Sequence, residues 1–278
     1  MKHGSSLKTR LLAAPHLVWS AIFVVVPLGM VAYYALTGPD GSFTIENVRL
    51  IPKYFDTFLL SIWLGLLATA ISLILAYPLA YYISQSKYSV QQTMIMLVML
   101  PMWMNFLLRT YSWMTILENN GIINTILTSI GLQPLHMINT RGAVVLGMVY
   151  DFIPYMILPI YSVMVKLDRS LVEACEDLGG NKLDVFRRVI VPNSISGVIS
   201  GITMVFVPSV STFYISQKLG GTNTLLIGDV IESQFMTSNN YHVGAALSLV
   251  LMVLILICLA VMNRFSGEDD LEQGRLAV

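Results

Sequence analysis

Six runs of the sequence are each long and apolar enough to cross a lipid bilayer as a helix, and nothing else in the chain limits its fold as tightly. A crossing helix needs roughly 20 mostly apolar residues. Such runs extend from about Leu11 to Leu36, Phe58 to Ile83, Thr93 to Leu117, Ala143 to Val165, Asn193 to Ile215 and Val243 to Arg264. Polar, glycine or proline signals bound them, among them Gly38-Pro39-Asp40-Gly41 and Asn119-Asn120-Gly121. Composition agrees, since 55% of the 278 residues are hydrophobic and 12% are charged, about half the charged share of a soluble domain. Mean hydropathy is +0.71. The expectation is an all-α, polytopic membrane protein with six transmembrane helices. Lys2, Lys8 and Arg10 precede the first run as they would in a signal peptide. That run is too long for one and lacks a small-residue cleavage site, so it reads as a retained helix.

Orientation follows from lysine and arginine. One set of loops holds Lys2, Lys8, Arg10, Lys87, Lys166, Arg169, Lys182, Arg187, Arg188, Arg264 and Arg275; the opposite set holds Arg49, Lys53, Arg141 and Lys218. The basic side is cytoplasmic by the positive-inside rule, which puts both termini inside, as an even number of spans requires. Residues 1–10 are then a cytoplasmic N-terminus, 11–265 a transmembrane domain with a long cytoplasmic loop at 166–192, and 266–278 a cytoplasmic tail. Prolines fall inside the spans at 27, 78, 101, 154, 159 and 208. They read either as ordinary kinks that neighbours re-satisfy or as marks of discontinuous helices lining a path.

Several function classes fall away. Formal net charge is +0, with no basic field to attract nucleic acid. Cys175 and Cys258 lie in a cytoplasmic loop and a span, which opposes a disulfide framework, and no Cys/His cluster has metal-ligand spacing. No Gly-x-x-x-x-Gly-Lys-Ser/Thr loop, His-Glu-x-x-His or Gly-x-Ser-x-Gly is present, and His3, His16, His136 and His242 are scattered. The chain therefore binds no ATP by a P-loop and has no hydrolase signature.

The loop from Lys166 to Pro192 is polar but patterned. Ser170-Leu171-Val172-Glu173 fits a capping box. Leu171, Ala174, Cys175 and Leu178 then fall on one face at helical spacing, and Gly179-Gly180 ends the helix. A second short helix starts near Asn181, with Leu183, Phe186 and Val189 on one side, and Pro192 closes the segment. Two amphipathic helices meeting at a glycine turn need something to bury against: a partner, the membrane surface or the chain's own helix ends.

Glu173-Ala174-Cys175-x-x-x-Gly179, followed by Val189-x-Val191-Pro192, resembles the signature loop of the permeases of ATP-binding-cassette importers, which reads Glu-Ala-Ala, three residues, Gly, nine residues, Ile-x-Leu-Pro. The spacing matches without a gap, and Cys175, Val189 and Val191 are small or aliphatic departures. The resemblance implies the type I importer permease fold. It also implies a coupling helix that seats in a groove of an ATPase subunit through Ser170, Glu173, Ala174, Gly179, Phe186 and Pro192, with ATP bound by that partner and no cofactor on this chain. The implied assembly has a related permease as heterodimer partner, two ATP-binding subunits and an extracytoplasmic solute-binding protein, in lipid of a bacterial plasma membrane. An ion-coupled carrier would leave the capped loop unexplained.

Further stretches resemble the B-type permeases of spermidine/putrescine importers: Leu100 to Trp113, Gly147-Met148-Val149-Tyr150, and Phe213-Tyr214-Ile215-Ser216 with its continuation through Leu219-Gly220-Gly221 to Ile231. A polycation needs carboxylates or carbonyls at its amines and aromatic faces between them. Asp151 is the one acid well inside a span, beside Tyr150, Phe152 and Tyr155, and an intramembrane carboxylate is a functional candidate by default. It can meet substrate, or pair with Arg109, the one intramembrane arginine. Trp103, Trp113, Tyr111, Phe213 and Tyr214 are further candidates for the path, each open to a plainer role in the interfacial aromatic belt. The segment 217–240, with Asp229 and Glu232, reads as an external loop that forms an outer gate, contacts the solute-binding protein or, at its glycine-rich start, is simply a turn.

Overall fold

The computed structural model describes residues 15–16 and 18–276. The expected N-terminus at 1–10 and the start of the first run lie outside them. Among the described residues, five helices are long and apolar enough to cross a membrane, and six if one bent pair is a single broken span. No β-strand occurs among them beyond an isolated bridge, Thr37 to Phe43. The chain forms two compact units, Met1–Phe55 with Val230–Leu254, and Asp56–Asp229 with Ile255–Val278.

The first unit contains helix α1, Val18–Ala35, whose apolar side chains stay almost wholly exposed, a surface suited to lipid or a partner. Its open C-terminal end is closed by the Asn47 amide, which donates to the carbonyls of Ala35 and Thr37 at 3.3 and 3.0 Å. Such ends leave carbonyls that need partners. Ala35 packs with Ala245, Ala246 and Phe235.

The second unit is built on α2, Phe55–Gln85, and α6, Arg141–Met164. Its core lies in two apolar clusters along α6. Ala143, Val144 and Met148 meet Leu64, Ala68, Ile215 and Leu219; Met156, Ile157 and Ile160 meet Ala76, Ala80, Ile83 and Val205. Phe152 packs against both clusters, and Asp151 sits between them in sequence. The helix α8, Lys182–Ser211, crosses α6 where Gly197 and Gly201 face Pro159, Ile160 and Met156. Small residues four apart permit such close backbone approach.

Two expected boundaries are corrected. The third span, expected as one run from Thr93 to Leu117, is broken: α3, Tyr88–Trp103, is followed after an 89° bend by α4, Phe106–Leu117, and α5, Ile122–Ser129. Asn105 causes the restart, its side-chain oxygen accepting from the Leu107 N–H at 2.8 Å, so a polar amide inside an apolar run serves as an N-cap. At 16 residues, α3 covers about 24 Å, short of the ~30 Å hydrocarbon core. The helix of the fifth span begins at Lys182, ahead of the start expected at Asn193, because Pro192 does not close the loop. A π-turn at Phe186–Ile190 widens the helix just before Pro192, which has no N–H to give, and the helix continues. The last helix, Tyr241–Leu276, carries an apolar span that ends at Met262, close to the expected Arg264.

Candidate functional site: a docking loop and an intramembrane charge–aromatic strip

The loop at 166–192, expected on the cytoplasmic side, folds as two helical pieces around a glycine turn. The first, α7, is Arg169–Asp177. The capping box expected at Ser170 and Glu173 is not there: Asp168 is the N-cap, accepting from the Ser170 N–H at 2.9 Å, which leaves Glu173 too far into the helix to reach back. That bond holds the Asp168 carboxyl below its ordinary value of 3.8. A capping box does form eleven residues on, where the Asn181 oxygen accepts from Leu183 and Asp184, and Asp184 accepts from the Asn181 N–H. The glycine stop falls as expected. Gly179 has φ +83°, and the Gly179 and Gly180 N–H groups donate to Glu176 and Cys175, a Schellman closure.

The faces divide differently from the expectation. Val172, Cys175 and Phe186 turn inward onto the second apolar cluster, where Phe186 meets the edges of Tyr77 and Tyr81 at 5.9 and 6.0 Å. Leu171, Leu178 and Leu183 remain outside, Leu178 at 90% exposure. Ala174 and Pro192 are also exposed, as is Glu173, which lines a polar hollow of about 390 Å³ with Ser84, Gln91, Arg169 and Glu176. An apolar strip of this kind on a polar loop is a surface suited to a partner.

Within the spans, Arg109 on α4 and Asp151 on α6 form an ion pair, Nη1 to Oδ1 at 3.1 Å, with exposures of 8% and 3%. The N–H does not point along the contact, so neither atom completes a hydrogen bond, and Arg109 Nε has no partner either. The pairing left open by the sequence is the arrangement present. Neighbours on α4 carry the strip onward. Trp113 meets Tyr150 edge-on at 5.3 Å. The Arg109 guanidinium lies 5.9 Å from the Phe106 ring, Phe106 touches Tyr214 at 5.8 Å, and Tyr214 meets Tyr111 at 6.2 Å. Tyr150 also lines an apolar groove of about 800 Å³ between α2 and α6 with Trp63, Leu67, Ile71 and Val149. Trp103, Tyr155 and Phe213 lie exposed at the surface.

The segment expected as an external loop is structured at its start. Residues Ser216–Gly220 form a π-turn, and Asp229 is buried, accepting from the Leu226 N–H at 2.6 Å to start the helix Ile227–Met236. Sequence reasoning missed this cap and missed Lys218, whose Nζ lies 5.3 and 5.7 Å from the Tyr111 and Tyr214 rings. It also missed Asn105 and the Gly197–Gly201 crossing, although four-residue glycine spacing in an apolar run is a readable signal.

The chain is a multi-helix membrane unit with a capped helical loop before its penultimate span. The pattern of binding-protein-dependent transport system inner membrane components matches residues 92–266, and the chain belongs to that family. It is similar to the spermidine/putrescine transport system permease protein PotB of Escherichia coli K12, 36% identical over 258 residues, covering 89% of this chain and 94% of that protein. The PotB of Haemophilus influenzae is 38% identical, covering 88% and 90%. In fold it matches a solved bacterial importer of the acidic polysaccharide alginate, with TM-score 0.75 at 17% identity over 94% of this chain and 96% of that one. It has the type I importer permease fold, in a multi-pass membrane protein.

Proposed function

We infer that this chain is the permease subunit of an ATP-driven importer that carries a polyamine such as spermidine or putrescine. The observation that carries this reading is the likeness to PotB proteins along nearly the whole chain. The aromatic rings of the strip, Phe106, Tyr111, Trp113, Tyr150 and Tyr214, support it, since such faces attract an alkylammonium. A related permease completes the path, two ATPase subunits bind and hydrolyse ATP, an external binding protein delivers the solute, and both termini face the cytoplasm.

In this reading the ATPase groove receives Leu171, Ala174 and Leu178 of α7, with Glu173 at its edge. Asp168 caps the helix and Ser170 supplies the N–H it holds. Gly179 sets the turn, while Phe186 and the widened turn before Pro192 tie the loop to α2 and α8. Movement of the ATPase pair then reaches α8 across the glycine turn, because the second piece of the loop and the span are one continuous helix. Tyr150, Trp113 and Tyr214 line the path. Arg109 and Asp151 hold α4 against α6, so Asp151 acts through that latch.

The test is uptake into vesicles by the reconstituted importer, comparing spermidine and putrescine with sulfate and an alginate oligosaccharide. Saturable, ATP-dependent uptake of the amines alone is expected. Glu173→Ala and Gly179→Asp are expected to keep ATP hydrolysis while lowering uptake. Uptake without an ATPase subunit, or equal uptake of all solutes, refutes the reading.

A further inference from the structure

Lys218 lies in the π-turn Ser216–Gly220, and its ammonium stands between two tyrosines on different elements. Tyr111 comes from α4, and Tyr214 from the residues after α8. The Nζ is 5.3 Å from one ring centroid and 5.7 Å from the other, and the rings meet each other at 80°. Both distances lie inside the roughly 6 Å over which a ring face attracts a cation. Two rings at nearly right angles about one ammonium form a partial aromatic cage. Tyr111 is exposed, and Tyr214 and Lys218 are half-buried, so the cage opens outward.

The occupant has a telling chemistry. A lysine side chain is four methylenes ending in a primary ammonium, which is also butane-1,4-diamine less one amine and the aminobutyl end of spermidine. Whatever geometry holds Lys218 also fits the end of such a substrate. The cage is joined through Tyr214 and Phe106 to Arg109 on Asp151. Of the two cations on this strip, Arg109 is buried in an ion pair, whereas Lys218 rests on a flexible stem at an open site. Only the second is readily displaced.

The geometry points to an alkylammonium site between Tyr111 and Tyr214 that the chain's own Lys218 fills in this conformation and that a cargo amine takes over by displacing it. The identity of the cargo rests on the polyamine reading; the cage does not. The lysine thus keeps the rings in place and the site occupied until an amine of matching length competes for it.

Acylation of the assembled importer in nanodiscs, read by mass spectrometry, tests the displacement. Tetramethylammonium chloride serves as the probe because it suits an aromatic cage and consumes no acylating reagent, with sodium chloride at equal ionic strength as the control. The acylation rate of Lys218, relative to the exposed Lys182, is expected to rise about 2- to 5-fold with the probe and not with sodium. Tyr111→Leu and Tyr214→Leu are each expected to raise it without any probe. An unchanged rate, or protection by the probe, overturns the proposal. Lys218→Met keeps the stem and removes the charge. It is expected to lower the spermidine concentration for half-maximal ATPase stimulation by about 2- to 5-fold, and an unchanged or higher value overturns it too. Should the parent importer take up no polyamine, the functional reading fails, while the footprint still reports on the cage.

Discussion

Replacement of Asp151 by asparagine tests what the intramembrane ion pair does. At 3.1 Å and an effective dielectric near 20, two unit charges attract by about 5 kcal/mol. Burying each ion costs several kcal/mol, so the intact pair contributes little net stability, and the measurable quantity is the effect of orphaning one partner. Asp151→Asn leaves the Arg109 guanidinium buried and uncompensated, a change that costs about 3–5 kcal/mol in comparable sites. The lower end applies because the amide keeps the shape and leaves an oxygen dipole facing the guanidinium. Arg109→Met orphans the carboxylate in the same way. The double variant Arg109→Met/Asp151→Leu removes both charges and is expected within about 1 kcal/mol of the parent. Cys175 and Cys258 are free and half-buried, so a thiol-reactive dye reports unfolding in detergent without added labels. Each single variant is expected to melt about 5–10 °C below the parent and the double variant to recover most of that loss. A double variant melting lower than both singles would refute the latch. So would a double variant that is stable yet takes up no spermidine, because Asp151 would then be needed by the solute.

At the α6–α8 crossing, Gly201→Leu places a Cβ 2.7 Å from Met156 Sδ and 3.2 Å from its carbonyl oxygen, and is expected to destabilise by at least about 1–3 kcal/mol. Gly142→Ala, with only Thr140 Oγ1 at 3.7 Å, is expected to leave the melting temperature unchanged or raised, both read by the same thiol assay. Asp168→Ala removes the cap of α7, and hydrogen exchange of the Ser170 and Leu171 amides is expected to quicken severalfold while ATP-coupled uptake falls. Because the folded carboxyl titrates below 3.8, the cap is fully present at neutral pH and is lost only as pH falls below that value. Asn105→Ala removes the cap that restarts the helix after the bend, and is expected to cost about 1 kcal/mol and to raise amide exchange at Phe106 and Leu107.

How far the sequence could be read depended on whether a feature is a sum or a choice. Span existence is a sum over some twenty side chains, so α2 and α6 fell within two or three residues of their expected limits. The glycine stop of α7 was legible because φ +83° at Gly179 strongly favours glycine. The start of the same helix was a choice between neighbours. Asp168 and Ser170 both suit an N-cap, and taking the earlier one turned Cys175 inward with Val172. Asn105 escaped notice for the opposite reason, since one polar residue barely lowers the hydropathy of its run yet decides where a helix begins. The Arg109–Asp151 pair was readable as one of two alternatives because intramembrane charges are few. Lys218 was not, because a basic residue before Gly220-Gly221 looks like any solvated turn until the π-turn aims it back at the rings.

The bend at Asn105 and the buried ion pair belong together physically. After turning 89°, α4 has only 12 residues and keeps Leu107, Leu108 and Tyr111 exposed, so apolar burial alone holds it weakly. An arginine on such a helix has no water to retreat to, and the free energy of leaving it unpaired far exceeds what the neighbouring contacts supply. The carboxylate of Asp151 therefore fixes both the height and the rotation of α4 against α6. Rotation matters because positions two apart on a helix face nearly opposite ways, whereas positions four apart share a face. With Arg109 turned to Asp151, Trp113 is carried onto Tyr150 of the same helix, and Tyr111 is carried away from it toward Tyr214 and Lys218. One charge pair thus sets two aromatic contacts on opposite sides of a short helix. Any movement of α6 driven from the loop at 166–192 must either carry both contacts along or break the pair.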